Sequence, residues 1–263
     1  MTKQKCQFEV FYQPLVCLAT GQIAGFEALV RWQHPLKGLI YPANFIPIAE
    51  DTGTIVTLGN WVLKTAIKQL KLWQQDFAHQ LSQAKMAVNI SGKQLLQLDL
   101  VQQIEKMLQE TELHPKYLKL EITESVLMEN FELAMSILTQ LNQLGIELAI
   151  DDFGTGYSSL GRLQNLPIDT LKIDRCFVRE MDCSTEKLAI VRAIASLAHS
   201  LKLNIVVEGI ETTTQLAILK DLNCHQGQGY YFAKPLCAES IITLLANQFH
   251  WSHHFIDVAH ESK

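Results

Sequence analysis

The chain has 263 residues, with 22 Lys and Arg residues against 27 Asp and Glu residues and a net charge of −5. Hydrophobic residues make up 48% of the chain and charged residues 19%, which excludes an intrinsically disordered protein and allows a deep core. The net negative charge argues against binding to polymeric nucleic acid, because such proteins neutralise phosphates with a basic surface.

Three patterns that the sequence lacks indicate the cellular compartment of the protein. No apolar run approaches the roughly 18 residues of a membrane span, and the N-terminus has no signal-peptide pattern. The six cysteines form no C-x-x-C pair, which favours reduced, mostly buried thiols over a zinc site. We therefore expect a cytoplasmic protein, or the cytoplasmic domain of a larger one.

The chain opens with two β-rich stretches, Phe8–Leu18 and Gln22–Trp32. The connection through Thr20 and Gly21 is too short for a parallel crossover, so the pair is predicted to be an antiparallel hairpin. A long helix follows, because apolar residues from Leu58 to Phe77 recur every three or four positions.

Strands and helices alternate along the rest of the chain. The predicted strands are Met86–Ile90, Tyr117–Ile122, Ile146–Ile150, Thr170–Ile173, Asn204–Val207 and Gly229–Phe232. Helical patterns between them include Leu133–Leu144, Leu188–Leu201 and a helix opened by a Thr212–Gln215 capping box. With the hairpin this makes eight strands, which predicts an α/β fold of the (β/α)8 barrel type with one antiparallel strand. A doubly wound open sheet is the alternative.

One domain is predicted, because no linker or charge block divides the chain. We expect an N-terminal lead-in at residues 1–7, a catalytic domain at 8–248 and a C-terminal tail at 249–263. Three histidines of that tail, His250, His253 and His254, could bind a metal, but a frayed polar tail is the simpler interpretation.

Polar side chains stand at or near the ends of most predicted strands. These residues are Glu27, Asn89, Glu121, Asp151, Asp152, Lys172, Asp174, Glu208 and Gln228. In a barrel the carboxyl ends of the strands converge on one mouth, where carboxylates would repel one another unless cations bind between them. An all-oxygen ligand set suits Mg²⁺ or Mn²⁺ better than zinc.

Each of these residues also has a structural interpretation. A single acid after a strand is usually a helix cap or a turn residue, and Lys172 could lie on the barrel exterior. Tyr230, Tyr231 and Phe232 are expected to be barrel wall, and Cys224 a packed thiol rather than a nucleophile. The repetition of polar residues at six consecutive strand ends nevertheless favours a functional site.

At these positions the sequence resembles the EAL-domain family, phosphodiesterases of the bacterial second messenger cyclic di-GMP. The matching motifs are Tyr12-Gln13-Pro14, Glu27-Ala28-Leu29 with Arg31, Pro42–Gly53, Asn89-Ile90-Ser91, Glu121–Glu124, Asp151–Ser159, Leu171–Asp174, Glu208–Glu211 and Gln228–Pro235. They cover nearly the whole chain, from about Phe8 to about Ala246.

The resemblance implies a modified (β/α)8 barrel that hydrolyses cyclic di-GMP to linear 5′-pGpG with two Mg²⁺ or Mn²⁺ ions. Carried over by position, the first ion would be held by Glu27, Asn89, Glu121 and Asp151, and the second by Asp151, Asp152 and, through water, Glu208. The catalytic set would be Glu27, Asp151, Glu208 and Lys172, with Lys172 orienting or deprotonating the attacking water. Substrate contacts would come from Gln13, Leu29, Arg31, Asp174, Glu211 and Gln228.

The resemblance also implies a homodimer, with attached or partner sensory domains. Glu124 would anchor the glycine-rich loop after Asp152, which in this family couples metal binding to dimerisation. One departure is His225, where the family usually has an acid; we expect a tuning effect at most.

Other functions stay open at this point. A catalytically silent EAL domain acting as a nucleotide receptor, or an interaction scaffold, would be expected to lack metal-site acids that are all present here. A different barrel metalloenzyme, for example of the enolase kind, would not predict these motifs together.

Overall fold

The computed structural model describes residues 7–155, 160–247 and 251. Its strands are β1 (Phe8–Cys17), β2 (Ile23–His34), β3 (Gly38–Ile40), β4 (Lys85–Asn89), β5 (Leu118–Thr123), β6 (Glu147–Phe153), β7 (Thr170–Ile173), β8 (Asn204–Val207) and β9 (Gln226–Gly227). Its helices are α1 (Pro42–Thr52), α2 (Ile55–Asp76), α3 (Ala78–Leu81), α4 (Gly92–Leu95), α5 (Leu100–Thr111), α6 (Glu124–Glu129), α7 (Phe131–Gln143), α8 (Leu160–Leu163), α9 (Arg175–Val178), α10 (Thr185–Ser200), α11 (Thr213–Asp221) and α12 (Ala238–Ala246).

Eight of the strands close a barrel in the order β1-β2-β4-β5-β6-β7-β8-β9. The six pairings from β2 to β9 are parallel, whereas β1 is antiparallel to both of its neighbours, β2 and β9. This arrangement confirms the predicted barrel with one reversed strand, and the open-sheet alternative is wrong. The N-terminal hairpin is confirmed as well, with register from Phe8↔Trp32 to Val16↔Ile23.

Two details of the sheet differ from the prediction. The last strand is Gln226–Gly227, while Gly229–Phe232 form a turn in which the Gly229 carbonyl accepts from the N–H of Phe232. Gly229 passes so close to the backbone of Ile210 that a Cβ there would lie 2.1 Å from the Ile210 carbonyl oxygen. The residues predicted to form barrel wall are therefore a turn that follows β9. The short strand β3, which the sequence analysis missed, pairs with the end of β2 outside the closed ring.

Helix α2 shows how the helices cover the barrel. Its predicted apolar face is buried, and Trp73 is fully enclosed with ring centroids 4.8 Å from Tyr12 and 4.9 Å from Phe26. The capping box of α11 forms as predicted between Thr212 and Gln215. Within the part of the chain that is described, no helix is long and apolar enough to cross a membrane.

The barrel interior changes from polar to apolar and back along its axis. Ala87 lies on β4 between Lys85 and Asn89, two positions from each, so all three side chains face inward. Ala87 packs with Leu15 and Val206 into a small apolar cluster of its own. At the amino ends of the strands, Glu147 forms ion pairs with Lys85 and Lys119. The apolar cluster lies between these ion pairs and the polar residues at the carboxyl ends of the strands.

The ends of the chain are described only in part. Residues 1–6, most of the predicted tail 249–263 with its three histidines, and Gly156–Ser159 of the glycine-rich loop lie outside the described residues. Trp251 is described: it is buried, and its indole Nε1 donates to the carbonyl of Phe232 at 3.2 Å.

Candidate active site

The polar residues predicted at the strand ends meet at one mouth of the barrel. Lys172, the last inward-facing residue of β7, is completely buried and lies at their centre. Its Nζ lies 2.6 Å from Glu121, 2.7 Å from Glu208, 3.1 Å from Asp151 and 3.9 Å from Glu27, measured to the nearest carboxylate oxygen. The alternative that Lys172 lies on the barrel exterior is therefore wrong.

The carboxylates outnumber this single ammonium group. Burial alone would lower the pKa of Lys172, but the surrounding carboxylates outweigh it and hold the pKa well above the usual value. Burial, reinforced by neighbouring acids, raises the pKa of Glu121 well above its usual value, that of Glu208 to about 7 and that of Asp152 to about 6. Burial and mutual repulsion thus disfavour the charged forms of these acids, and bound cations would favour those charged forms.

Glu27 is held by two amide groups from opposite sides. Asn89 Nδ2 donates to Oε1 at 2.8 Å and Gln228 Nε2 donates to Oε2 at 2.6 Å. Gln228 Nε2 also donates to Gln13 Oε1 at 2.7 Å, and Gln13 Nε2 donates to the carbonyl of Ala233 at 2.9 Å. Both ends of the Gln13 amide are therefore engaged within the protein, a supporting position that the sequence analysis did not foresee.

The residues at this mouth suit hard divalent cations. Asp151, Asp152 and Glu208 each place a carboxylate oxygen within 4.8 Å of the others. Glu121 Oε1 is fully buried and has no hydrogen-bond partner among the described residues. Asp152 adopts a left-handed backbone conformation, with φ of 54°, which non-glycine residues rarely accept. Carboxylate and amide oxygens are what Mg²⁺ and Mn²⁺ prefer, so the donor set fits these ions.

Glu124, at the start of α6, contacts the loop that follows the metal-site aspartates. The residue is buried, and its Oε2 accepts a hydrogen bond of 2.9 Å from the backbone N–H of Gly154. Gly154 has a φ of 93°, a conformation that glycine adopts without strain. The predicted anchoring contact is thus present at the described start of the loop.

Arg31 and several aromatic rings border the opening. The Arg31 guanidinium lies 6.0 Å from the ring centroid of Phe11 and 5.4 Å from that of Tyr41, and its Nη1 donates to the Val30 carbonyl. Tyr230 is exposed in the turn after β9, and Lys234 Nζ lies 5.2 Å from the centroid of its ring. Tyr41 and Lys234 were missed by the sequence analysis, since neither stands at a strand end.

A cavity of about 470 Å³ adjoins the acidic cluster. Leu29 lies in its wall, together with Asn89, Asp151 and Asp152 from the strand ends. Glu50 of α1 lines it as well. The cavity brings the predicted contact residue Leu29 and the candidate metal ligands to one space.

Three further predicted residues lie at the edge of the site or away from it. Asp174 caps α9, its Oδ1 accepting from the N–H of Cys176 at 2.9 Å, and its charge helps to raise the pKa of Asp152. The Glu211 side chain is exposed, and its backbone N–H donates to Gln215 in the capping box. Cys224 is a packed thiol as expected, and burial raises its pKa to about 12.

Comparison with known proteins gives a consistent result. The family profile described as "EAL domain" matches residues 1–235. The chain is 42% identical over 243 residues to the bifunctional diguanylate cyclase/cyclic di-GMP phosphodiesterase MucR of Pseudomonas aeruginosa, covering 92% of this chain and 35% of MucR. It is also 42% identical over 230 residues to the cyclic di-GMP phosphodiesterase NbdA of the same organism, covering 88% of this chain and 29% of NbdA. The chain thus spans about a third of the length of these curated relatives.

Solved structures agree with the sequence relatives. The structure of the Pseudomonas MucR phosphodiesterase in complex with c-di-GMP superposes with a TM-score of 0.85 at 43% identity, covering 89% of this chain and 94% of that one. The EAL enzyme Bd1971, solved with cAMP and cyclic di-GMP bound, gives a TM-score of 0.89 at 37% identity, covering 92% and 65% of the two chains. The reversed-strand barrel, the acidic mouth and these matches together show that the chain belongs to the EAL-domain family.

Proposed function

We propose that this chain hydrolyses one phosphodiester bond of cyclic di-GMP and releases linear 5′-pGpG. The observation that carries the proposal is the buried mouth at which four carboxylates surround the ammonium group of Lys172. The names of the relatives MucR and NbdA, and the c-di-GMP complex of MucR, support the choice of substrate. Hydrolysis of this messenger would lower its level in the cell.

The residues of the mouth divide into two candidate ligand sets. One Mg²⁺ or Mn²⁺ ion would be held by Glu27, Asn89, Glu121 and Asp151, and a second by Asp151, Asp152 and Glu208. Bound ions of this kind lower the pKa of water and stabilise negative charge on phosphate oxygens during in-line displacement. The four carboxylates around the single ammonium group of Lys172 support the binding of divalent cations at this mouth.

Lys172 would orient the attacking water by donating a hydrogen bond. Its ammonium group is fixed between Glu121 and Glu208, at 2.6 Å and 2.7 Å, so its donors point into the acidic cluster. A group held in this way positions a nucleophile without spending free energy on reorganisation during the reaction.

Arg31 would bind a substrate phosphate at the opening. A guanidinium group matches two phosphate oxygens with parallel N–H donors. The packing of Arg31 beside Tyr41 and Phe11 restricts its rotamers, which lowers the entropy that phosphate binding would cost. Leu29, in the wall of the adjoining cavity, would contact the nucleotide.

Two further proposals concern the whole protein. The Glu124–Gly154 contact supports a loop that responds to metal binding and takes part in a homodimer. Because the chain matches only about a third of MucR and NbdA, attached sensory domains and a cytoplasmic location are proposed by analogy with multidomain signalling proteins.

The experiment is incubation of the purified protein with cyclic di-GMP and Mn²⁺ or Mg²⁺, with and without EDTA, followed by chromatography. We expect 5′-pGpG only when the metal is free to bind, and no product from the Glu27→Ala variant. Saturable nucleotide binding without product would favour a receptor instead. The absence of both turnover and nucleotide binding would favour a scaffold and overturn the proposal.

A further inference from the structure

The imidazole ring of His225 adds a hydrogen bond at the start of the pairing between β8 and β9, which we call the β8–β9 seam. Its Nδ1 accepts a hydrogen bond of 3.0 Å from the backbone N–H of Ile205, a fully buried residue. Two residues further along β8, the carbonyl of Val207 accepts from the N–H of Gln228 at 2.8 Å, so the backbone groups of Ile205 also face β9. Because β9 begins only at Gln226, the His225 ring accepts the bond that a strand carbonyl would otherwise take.

An equivalent contact with a different acceptor occurs between β6 and β7. Asp169 precedes β7 as His225 precedes β9, and its Oδ2 accepts a hydrogen bond of 2.9 Å from the buried N–H of Leu148 at the start of β6. A carboxylate stays an acceptor throughout the neutral range, whereas an imidazole loses its acceptor when it is protonated. The β8–β9 seam is therefore the one of the two that can titrate near neutral pH.

Strand β9 connects the His225 contact to a residue of the candidate active site, Gln228. Strand β9 has only two residues, which pair with β8 on one side and with β1 on the other. The carbonyl of His225 also accepts a hydrogen bond from the N–H of Leu18, at 3.0 Å. At the other end of β9, Gln228 Nε2 donates to Glu27. His225 and Gln228 thus stand on either side of the shortest strand of the barrel.

We propose that His225 is a positioning residue: its neutral ring fixes β9 between β8 and β1 and thereby holds the Gln228 amide against Glu27. The kinetic part of this inference rests on the proposed phosphodiesterase activity, whereas the seam itself can be tested without it.

Protonation should release the contact, because a ring carrying a proton on Nδ1 presents a donor to the Ile205 N–H. Burial and the neighbouring His199 ring, whose centroid lies 5.8 Å away, lower the pKa of His225. The other ionisable groups at the ends of the elements that meet at the start of the seam are Cys17 on β1, Lys202 before β8, Cys224 beside His225, and Lys220 and Asp221 at the end of α11. With a lowered folded-state pKa, the contribution to stability is complete above the unfolded value of about 6.5 and declines as the pH falls below it.

The test compares the wild type with His225→Asp, His225→Phe and the control His79→Gln in Mn²⁺-dependent hydrolysis of cyclic di-GMP. At about pH 7.5 we expect His225→Phe to lose about tenfold in kcat with KM changed by less than about twofold, because Glu27 loses the support of Gln228 while the proposed phosphate contact of Arg31 stays. We expect His225→Asp to retain kcat within about threefold of the wild type, since its carboxylate can accept the Ile205 bond as Asp169 accepts that of Leu148.

The pH profile separates positioning from general stability. The ratio of His225→Asp to wild-type kcat should rise at least about threefold between about pH 7.5 and pH 5.5. Titration of the metal-site acids cancels in that ratio, because both proteins have the same acids. The control His79→Gln should follow the wild-type profile, because His79 is exposed on α3 and takes no part in the β8–β9 pairing. A folded His225→Phe variant with wild-type kcat, or a ratio that does not change with pH, would overturn the inference.

A wild type without any turnover would count against the proposed function and leave the seam to be judged by unfolding. In that case the thermal midpoints of the wild type and of His225→Asp are compared across the same pH range. The wild type should lose stability relative to His225→Asp below about pH 6.5. Identical pH dependence of the two midpoints would show that the ring does not act as a titrating seam contact.

Discussion

At the scale of single residues, the position of Glu27 depends on hydrogen bonds from neighbouring amide side chains. Glu27 receives one amide on each carboxylate oxygen, from Asn89 and Gln228, and Gln228 is itself held by Gln13. Such a chain of hydrogen bonds fixes the direction in which a carboxylate presents its free lone pairs to a ligand. Gln13 was assigned to substrate contact by the family resemblance, and the geometry makes a supporting role the sharper hypothesis.

Replacing Gln13 distinguishes these two roles. We expect Gln13→Leu to lower kcat about tenfold and to change KM by less than about twofold, because Gln228 loses an acceptor while the substrate surface is unchanged. The measurement is steady-state hydrolysis of cyclic di-GMP, with Gln22→Leu on the exposed part of the same hairpin as the control. A raised KM with unchanged kcat would instead support a direct contact between Gln13 and the substrate.

Removal of the Lys172 charge should have two effects. Lys172→Met leaves Glu121, Glu208 and Asp151 buried together without their cation, which typically costs about 3–5 kcal/mol in the free energy of unfolding. We expect a lower unfolding midpoint in EDTA, partial recovery when Mn²⁺ is added, and loss of hydrolysis. Thermal unfolding with and without Mn²⁺ measures this, with Lys187→Met at an exposed ion pair as the control. An unchanged midpoint in EDTA would show that the carboxylates do not need the ammonium group.

At the scale of elements, the two ends of the barrel interior have different tasks. At the amino ends of the strands, Glu147 on β6 pairs with the fully buried Lys119 on β5 at 2.7 Å and with Lys85 on β4. Thr170 on β7 adds a hydrogen bond of 2.9 Å to the same carboxylate. In α/β barrels this end contributes to stability rather than to catalysis. The sequence analysis missed the group, because Lys119 and Glu147 lie within apolar runs.

Glu147 should make the stability of the barrel depend on pH. Burial by itself would raise the pKa of Glu147, but the pairs with Lys119 and Lys85 outweigh it and lower the pKa to about 2. A carboxyl group with a lowered pKa stabilises the fold above its unfolded value, about 4.3, and that contribution is lost as the pH falls toward 2. The contribution at neutral pH is roughly 3 kcal/mol.

Urea unfolding of Glu147→Gln near neutral pH and near pH 3 measures this contribution. We expect the variant to be less stable by roughly 3 kcal/mol at neutral pH and the difference from the wild type to shrink in acid. The control is Glu110→Gln, which changes an exposed pair with Lys64 and should leave the unfolding curve in place. A pH-independent difference would mean that packing, and not charge, holds Glu147.

At the scale of the whole molecule, an acidic mouth in a chain of net charge −5 calls for cations before an anionic substrate can enter. Ligands that bind only the folded state stabilise it by mass action. At one hundred times its dissociation constant an ion contributes about 2.7 kcal/mol, which corresponds to roughly 5 °C for a chain of this size.

Metal binding can therefore be checked without any substrate. We expect Mn²⁺ to raise the unfolding midpoint by at least roughly 5 °C and EDTA to reverse the effect. Asp151→Asn should lose most of this gain, since Asp151 belongs to both proposed ligand sets. Asp99→Asn, at the exposed N-cap of α5 and outside both proposed ligand sets, should keep it. A gain that persists in Asp151→Asn would place the ions elsewhere.

The sequence alone determined the alternation of strands and helices, the reversed first strand and the polar strand ends, whereas the closure of the sheet into a barrel was decided by the tertiary structure. Each of these follows from local information: the length of a connection, the spacing of apolar residues, or the residue that follows a strand. The tertiary structure alone decided which polar groups meet. Gln13 and Gln228 are 215 positions apart, and the ring of His225 satisfies an N–H on another strand. The two-residue strand β9 is too short for any periodicity, and its position depends on partners on both sides. Hydrogen bonds between distant residues leave no local pattern, because they depend on how the whole barrel closes.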